Sequence, residues 1–316
     1  MSRYTRPNRI VVGIRSHPLT AFFVCSYAVS WLLWVPVVVL GLPPFSAERH
    51  APAFYVLPGI AVGVTGTAFA LTAVTQGRAG VRRLLQRLVS WRVGAQWWLV
   101  AIVLLPGAAM LVAAALGTPD IVVAFAPASL TAYPAAYIVH FVFGPLFEET
   151  GWRGFALPRM QHRFGALRGT FLLGVLWSAW HFFLYVPVWF ATGFVDGVTG
   201  LAIFVVTTTA LTFAFTWLTN NTRASLLLAI LMHGSVDGTV TYLQDLAERG
   251  VISHEAADQA IGLGQTIACV LLAAVLLVVT RGRLSYPRYA REAEELDLHP
   301  GASATGTGDQ PLTGAR

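Results

Sequence analysis

Charge is scarce in this chain: 11% of its 316 residues are charged, while 56% are hydrophobic. A soluble domain carries about 25% charged residues, so there is too little polar surface here to cover a large globular core. Lysine is missing altogether, since the 21 basic residues are all arginine. Cysteine is nearly so. Cys25 and Cys269 both lie in apolar stretches, which excludes a disulfide framework or a cysteine zinc knuckle. There is no HExxH, the helix-borne zinc protease motif. No internal repeat is visible, which disfavours a transporter built from inverted halves.

What the chain has instead is long apolar runs, and its mean hydropathy is +0.64. Each run is of the order of the ~20 residues that cross a hydrocarbon core. They predict an all-α, polytopic transmembrane helix bundle of about eight spans, near 19–41, 54–75, 97–116, 133–152, 169–190, 200–218, 225–243 and 263–280. The first is too long for a signal-peptide core and reads as a retained span. The fourth is expected to continue as helix past Arg153 toward Pro158.

Arginine placement gives an orientation. With the N-terminus inside, segments 1–18, 76–96, 153–168, 219–224 and 281–316 hold 4, 5, 4, 1 and 5 arginines, or 19 of 21, leaving Arg49 and Arg249 outside. This asymmetry places both termini in the cytoplasm of a plasma-membrane protein. It also explains the pI near 9.7 without nucleic acid; the implied partner is membrane lipid. The chain divides into a basic N-terminus (1–18), a helical domain (19–284) and a tail (285–316) expected to be disordered. Within 77–96, Leu84, Leu85, Leu88 and Trp91 recur at helical spacing among Arg82, Arg83, Arg87 and Arg92, predicting an amphipathic interfacial helix.

Ionisable groups at membrane depth are costly and so mark function. They are His140, Glu148, Glu149, Arg153, His181, His233 and Asp237. Glu149 and Arg153, four apart, share a helix face, while Glu148 is turned away by about 100°. One acid is thus neutralised, leaving the other free to act as a base; a mutually balanced helix end is the bland alternative. His181 alone would be an ordinary core histidine. His233 and Asp237 share one face and alone could be interhelical glue. Counted from the inner boundaries, three helices carry acid, imidazole and imidazole–carboxylate to a similar depth. Such a group could activate water directly or hold a divalent metal that does so. His140 is expected on the same side of its helix as Glu148, bonded to a carbonyl, and His162 in solvent.

These residues resemble the CAAX protease and bacteriocin-processing (Abi) intramembrane endopeptidases, which include the type II CAAX prenyl endopeptidases. That family's pattern is EExxxR, FxxxH and HxxxN or HxxxD on separate helices. Here it stands as Glu148-Glu149-Thr150-Gly151-Trp152-Arg153, Trp177-Ser178-Ala179-Trp180-His181 and His233-Gly234-Ser235-Val236-Asp237, within about 133–240. Trp177 for the usual Phe reads as a packing change. Asp237 for Asn replaces an amide donor with an acceptor.

The resemblance implies an intramembrane endopeptidase acting on a peptide or a membrane-anchored protein. Glu148 would be the general base assisted by His181, with His233 and Asp237 completing the site and Glu149 and Arg153 supporting it. Zinc, if a metal is used, would be held by Glu148, His181, His233 and Asp237; otherwise no cofactor is needed. A non-catalytic immunity or scaffold protein of this fold and a proton-coupled transporter are the competing readings.

Overall fold

The structure, a computed structural model, describes residues 9–42 and 51–295, and no strand occurs among them. A short helix, α1 (Arg9–Ser16), leads into α2 (Pro18–Val39). There follow α3 (Tyr55–Leu88), α4 (Ala95–Ala115), α5 (Tyr133–Phe143), α6 (Pro145–Trp189), α7 (Phe194–Asn221), α8 (Leu226–Glu248), α9 (His254–Val279) and α10 (Tyr286–Glu295). Seven of them (α2, α3, α4, α6, α7, α8 and α9) are long and apolar enough to cross a bilayer. An eighth span results if Pro119–Phe125 and Pro127–Ile138, bent by 59°, count as one. The expected all-α polytopic bundle is what the chain forms.

Its outer surface agrees. Leu32, Leu111, Phe171, Val278 and Val279 point outward and are exposed, a surface suited to hydrocarbon rather than water. The interior is unusually aromatic. Phe22 of α2 stacks on Phe155 with ring centres 5.0 Å apart and meets Trp152 edge-on. Trp34 packs on Trp180 at 4.7 Å and donates its indole N–H to the Val56 carbonyl. In a bilayer such contacts stabilise through close van der Waals packing, because lipid tails are as apolar as the core. Small residues permit it: a Cβ on Gly151 would lie 2.3 Å from the Val64 side chain.

Two breaks in the helices position the polar cluster, and the first corrects the expected fourth span. The stretch 133–152 is not one helix. It stops at Phe143, passes through Gly144 (φ −154°, ψ −69°) and restarts at Pro145. Proline disfavours helical backbone in the residue before it and suits the first position of a new helix. The second break is Gly165, at φ 77° and ψ 168° inside α6, a conformation glycine adopts without steric cost. It divides α6 into an arm over 145–164 and an arm over 166–189. Trp177 nevertheless touches Glu148 at 2.9 Å. In a straight helix 29 residues apart they would be about 40 Å away from each other, so the arms fold back on one another.

Two further expectations need amending. The amphipathic helix expected over 77–96 is the end of α3 beyond a kink at Gly77 (φ 65°), and it stops at Leu88. Arg87 on it turns inward rather than toward solvent. Its guanidinium is buried and donates to the carbonyls of Ala224, Gly154 and Arg153 at 2.8–2.9 Å. The tail expected to be disordered from Ser285 is helical in α10, where Tyr289 is buried against Ala224. The rest of that tail, and residues 1–8 of the basic N-terminus, lie outside the described residues.

Candidate active site

The Gly144-Pro145 break puts Glu148 in the first turn of α6, with Glu149 the next residue along. There the free backbone N–H groups and the positive end of the helix dipole favour carboxylates. Gly144 caps the start by accepting from the N–H groups of Phe147 and Glu148, and Thr65 of α3 donates its hydroxyl to the Phe147 carbonyl. The next turn, Trp152–Ala156, is wound as a π-helix, a local widening often found at functional sites.

Glu149 faces the bundle interior and is fully buried. Its Oε1 accepts from Arg153 Nη1 at 2.8 Å and from His233 Nδ1 at 2.9 Å. The Arg153 guanidinium lies between the Trp177 and Phe215 rings, its centre 4.1 and 4.0 Å from their centroids. Desolvated cation–π contacts of this kind are worth about 2 kcal/mol. Glu149 is therefore the partner of Arg153, as the spacing of four predicts. That it also holds His233 was not readable from spacing, because the two lie 84 residues apart.

Glu148 points the other way. Its Oε2 accepts from the Trp177 indole N–H at 2.9 Å and lies 3.9 Å from His181 Nε2. His181 Nδ1 is 2.8 Å from the Trp177 carbonyl. A carbonyl can only accept, so Nδ1 carries a proton; in the neutral ring Nε2 is then the lone-pair nitrogen. That nitrogen faces Glu148. The two groups are too far apart to bond, and the gap between the carboxylate and the ring leaves room for a single water.

His233 and Asp237 complete the cluster. His233 Nε2 is 3.5 Å from Asp237 Oδ2, and the Asp237 side chain is 38% exposed where Glu149 is 0%. The site thus has a sealed wall at Glu149 and an open edge at Asp237. The His233 ring meets Trp177 and Phe215 edge-on, with centroids 5.3 and 5.8 Å apart.

The structure therefore brings Glu148, Glu149, Arg153, His181, His233 and Asp237 together. His140 lies on α5, ahead of the Gly144 break and so off the helix that carries Glu148, and its Nε2 is 2.7 Å from the Thr241 hydroxyl. The expectation also passed over Trp177 as a donor and Phe215 as a platform. For Trp177 a signal existed, since a buried indole N–H normally finds an acceptor.

If a divalent metal were held here, Glu148, His181, His233 and Asp237 would supply its ligands. The donor types fit an ion: with Nδ1 of His181 on a carbonyl and Nδ1 of His233 on Glu149, each ring keeps Nε2 as the nitrogen a metal would take. Among the described residues no three His, Cys, Asp or Glu side chains stand grouped closely enough to enclose one.

Residues 130–239 match the family described as Type II CAAX prenyl endopeptidase Rce1-like. A curated protein of Methanococcus maripaludis, CAAX prenyl protease 2, is 29% identical over 99 residues, which covers 28% of this chain and 33% of the relative. The match therefore spans about a third of that relative's length. The matched segment begins near α5 and ends within α8, and so contains all three motifs.

Proposed function

We propose that this chain, whose residues 130–239 match the Type II CAAX prenyl endopeptidase Rce1-like family, is an intramembrane endopeptidase that hydrolyses a peptide bond of a membrane-associated or lipidated protein with a water activated by Glu148. The observation that carries this reading is the meeting of Glu148 and His181 Nε2 at 3.9 Å, beside a wall closed by Glu149, Arg153 and His233.

The chemistry comes from those positions. A water lying between Glu148 and His181 gives a proton to Glu148 as its oxygen attacks the scissile carbonyl carbon. The carbonyl electron pair moves onto oxygen, forming a tetrahedral intermediate. Glu148 passes its proton to the amide nitrogen, the C–N bond breaks, and a carboxylate and an amine leave. General acid–base transfer of this kind contributes about 10²–10⁴-fold. His233, held between Glu149 and Asp237, can carry both ring protons and so present positive charge toward the developing oxyanion. Asp237, an acceptor when ionised, orients that ring rather than donating to the oxyanion.

The arginine asymmetry supports a plasma-membrane setting with both termini cytoplasmic. Single cysteines added near Arg15 and Gly282 of a Cys25→Ser, Cys269→Ser background should resist an impermeant maleimide applied to intact cells.

The test of function uses purified protein in liposomes with an internally quenched peptide ending in a CAAX sequence, with and without a farnesyl group. In parallel, new protein N-termini are mapped in membranes carrying wild type or Glu148→Gln. Cleavage by the wild type alone supports the reading. Equal cleavage by both proteins, or no new termini and no peptide cleavage, overturns it.

A further inference from the structure

Trp177 touches more of this site than any residue assigned a chemical task. Its indole N–H donates to Glu148 Oε2 at 2.9 Å, and its backbone carbonyl accepts from His181 Nδ1 at 2.8 Å. Its ring face covers Arg153 at 4.1 Å and its edge meets His233 at 5.3 Å. The side chain is itself almost fully buried, at 2% exposure. Three of these contacts need only an aromatic ring or a backbone. One needs the indole nitrogen, and it goes to the carboxylate proposed as the base.

We infer that Trp177 is a positioning residue for the hydrolytic water: its N–H pins Glu148 Oε2 and so leaves Oε1 as the oxygen that takes the water's proton. This rests on the reading of Glu148 as the base. A carboxylate on two methylenes has several rotamers. Without a donor on one oxygen it can rotate toward the neighbouring cation, since Arg153 Nε and Nη2 are buried without hydrogen-bond partners. A rigid indole fixed in the folded-back arm of α6 denies it that choice. Among the described residues Glu148 Oε1 takes no hydrogen bond from the protein and is not among the buried unpartnered atoms, so it is the oxygen open to a substrate water. Orienting a reacting group in this way acts on the chemical step rather than on binding.

The decisive variants remove the donor and keep a ring. Trp177→Phe retains a platform for Arg153. Replacement of Trp177 by benzothienylalanine, in which sulfur stands for the N–H, retains the full indole outline. Both should lower kcat on the quenched peptide by about 10–100-fold, with KM within twofold and an unchanged melting temperature. Unchanged kcat in the benzothienylalanine protein overturns the inference even if Trp177→Phe is unstable. A rise in KM with kcat intact overturns it too, because the ring would then be a binding surface.

A measurement free of activity separates this idea from the function beneath it. In protein labelled with ¹⁵N-tryptophan, the indole resonance that disappears in Trp177→Phe should shift upfield in Glu148→Gln. If it does not move, the hydrogen bond is absent and the inference fails, whatever the enzyme cleaves. If it moves while Glu148→Gln still cleaves, the reading of Glu148 as base has failed and the inference falls with it.

Discussion

Glu148 and Glu149 are neighbours in sequence and opposites in surroundings. Glu149 is sealed from solvent, with Arg153 and His233 both on one of its oxygens. Glu148 is held by one neutral donor, with an imidazole nitrogen standing off at 3.9 Å. The helix turns by about 100° per residue, so adjacent acids must face different walls. One wall supplied a permanent cation, and the other an indole and a neutral ring. A carboxylate bonded to a fixed cation holds helices together, whereas one left without such a bond can accept a proton.

The contrast can be broken by removing each acid. Glu148→Gln should cost about 10²–10⁴-fold in kcat, with melting temperature near wild type, as read by peptide cleavage and a thermal shift in detergent. Glu149→Gln should do the reverse in kind. It leaves Arg153 buried without its counter-ion, which costs about 3–5 kcal/mol of stability and is measurable by denaturation in mixed micelles. If Glu149→Gln is as stable as wild type, the sealed wall is not structural.

Smaller effects sharpen the contrast. Adding Arg153→Met to Glu149→Gln should recover part of that loss, since the two charges act as a unit and their effects are not additive. Asp237→Asn sits on the open edge and should alter kcat by less than about tenfold, roughly the 1.4 kcal/mol that an exposed orienting contact supplies. Smallest of all should be the effect of dialysis against EDTA. If Glu148 activates its water without an ion, activity and metal content by mass spectrometry should be uncorrelated.

Much of this was legible because a membrane makes polar residues conspicuous. Burying an acid or a histidine in hydrocarbon is costly enough that a short tally of ionisable residues contained the whole cluster, and a spacing of four paired Glu149 with Arg153. Continuity was not legible. A run from Tyr133 to Trp152 is apolar throughout most of its length, and hydropathy does not register that Gly144-Pro145 ends one helix and begins another. The depth comparison, and the phase expected to relate His140 to Glu148, both assumed an unbroken fourth helix. The Glu149–His233 contact depends on how α8 packs against α6, which no local pattern encodes. Trp177 was underread because its ring resembles phenylalanine in its packing, while its one polar atom carries the consequence.

Arg153 has a bearing on how this protein is made. Its guanidinium stays charged at any physiological pH, and an arginine facing lipid is costly. Glu149 is at hand as soon as α6 forms, but Phe215 and His233 emerge from the ribosome only roughly 60 and 80 residues later. Until then α6 has no complete place in the bilayer. The expected consequence is that the helices from α6 to α8 are held at the insertion machinery and released together, so that truncations ending before α8 should fail to insert.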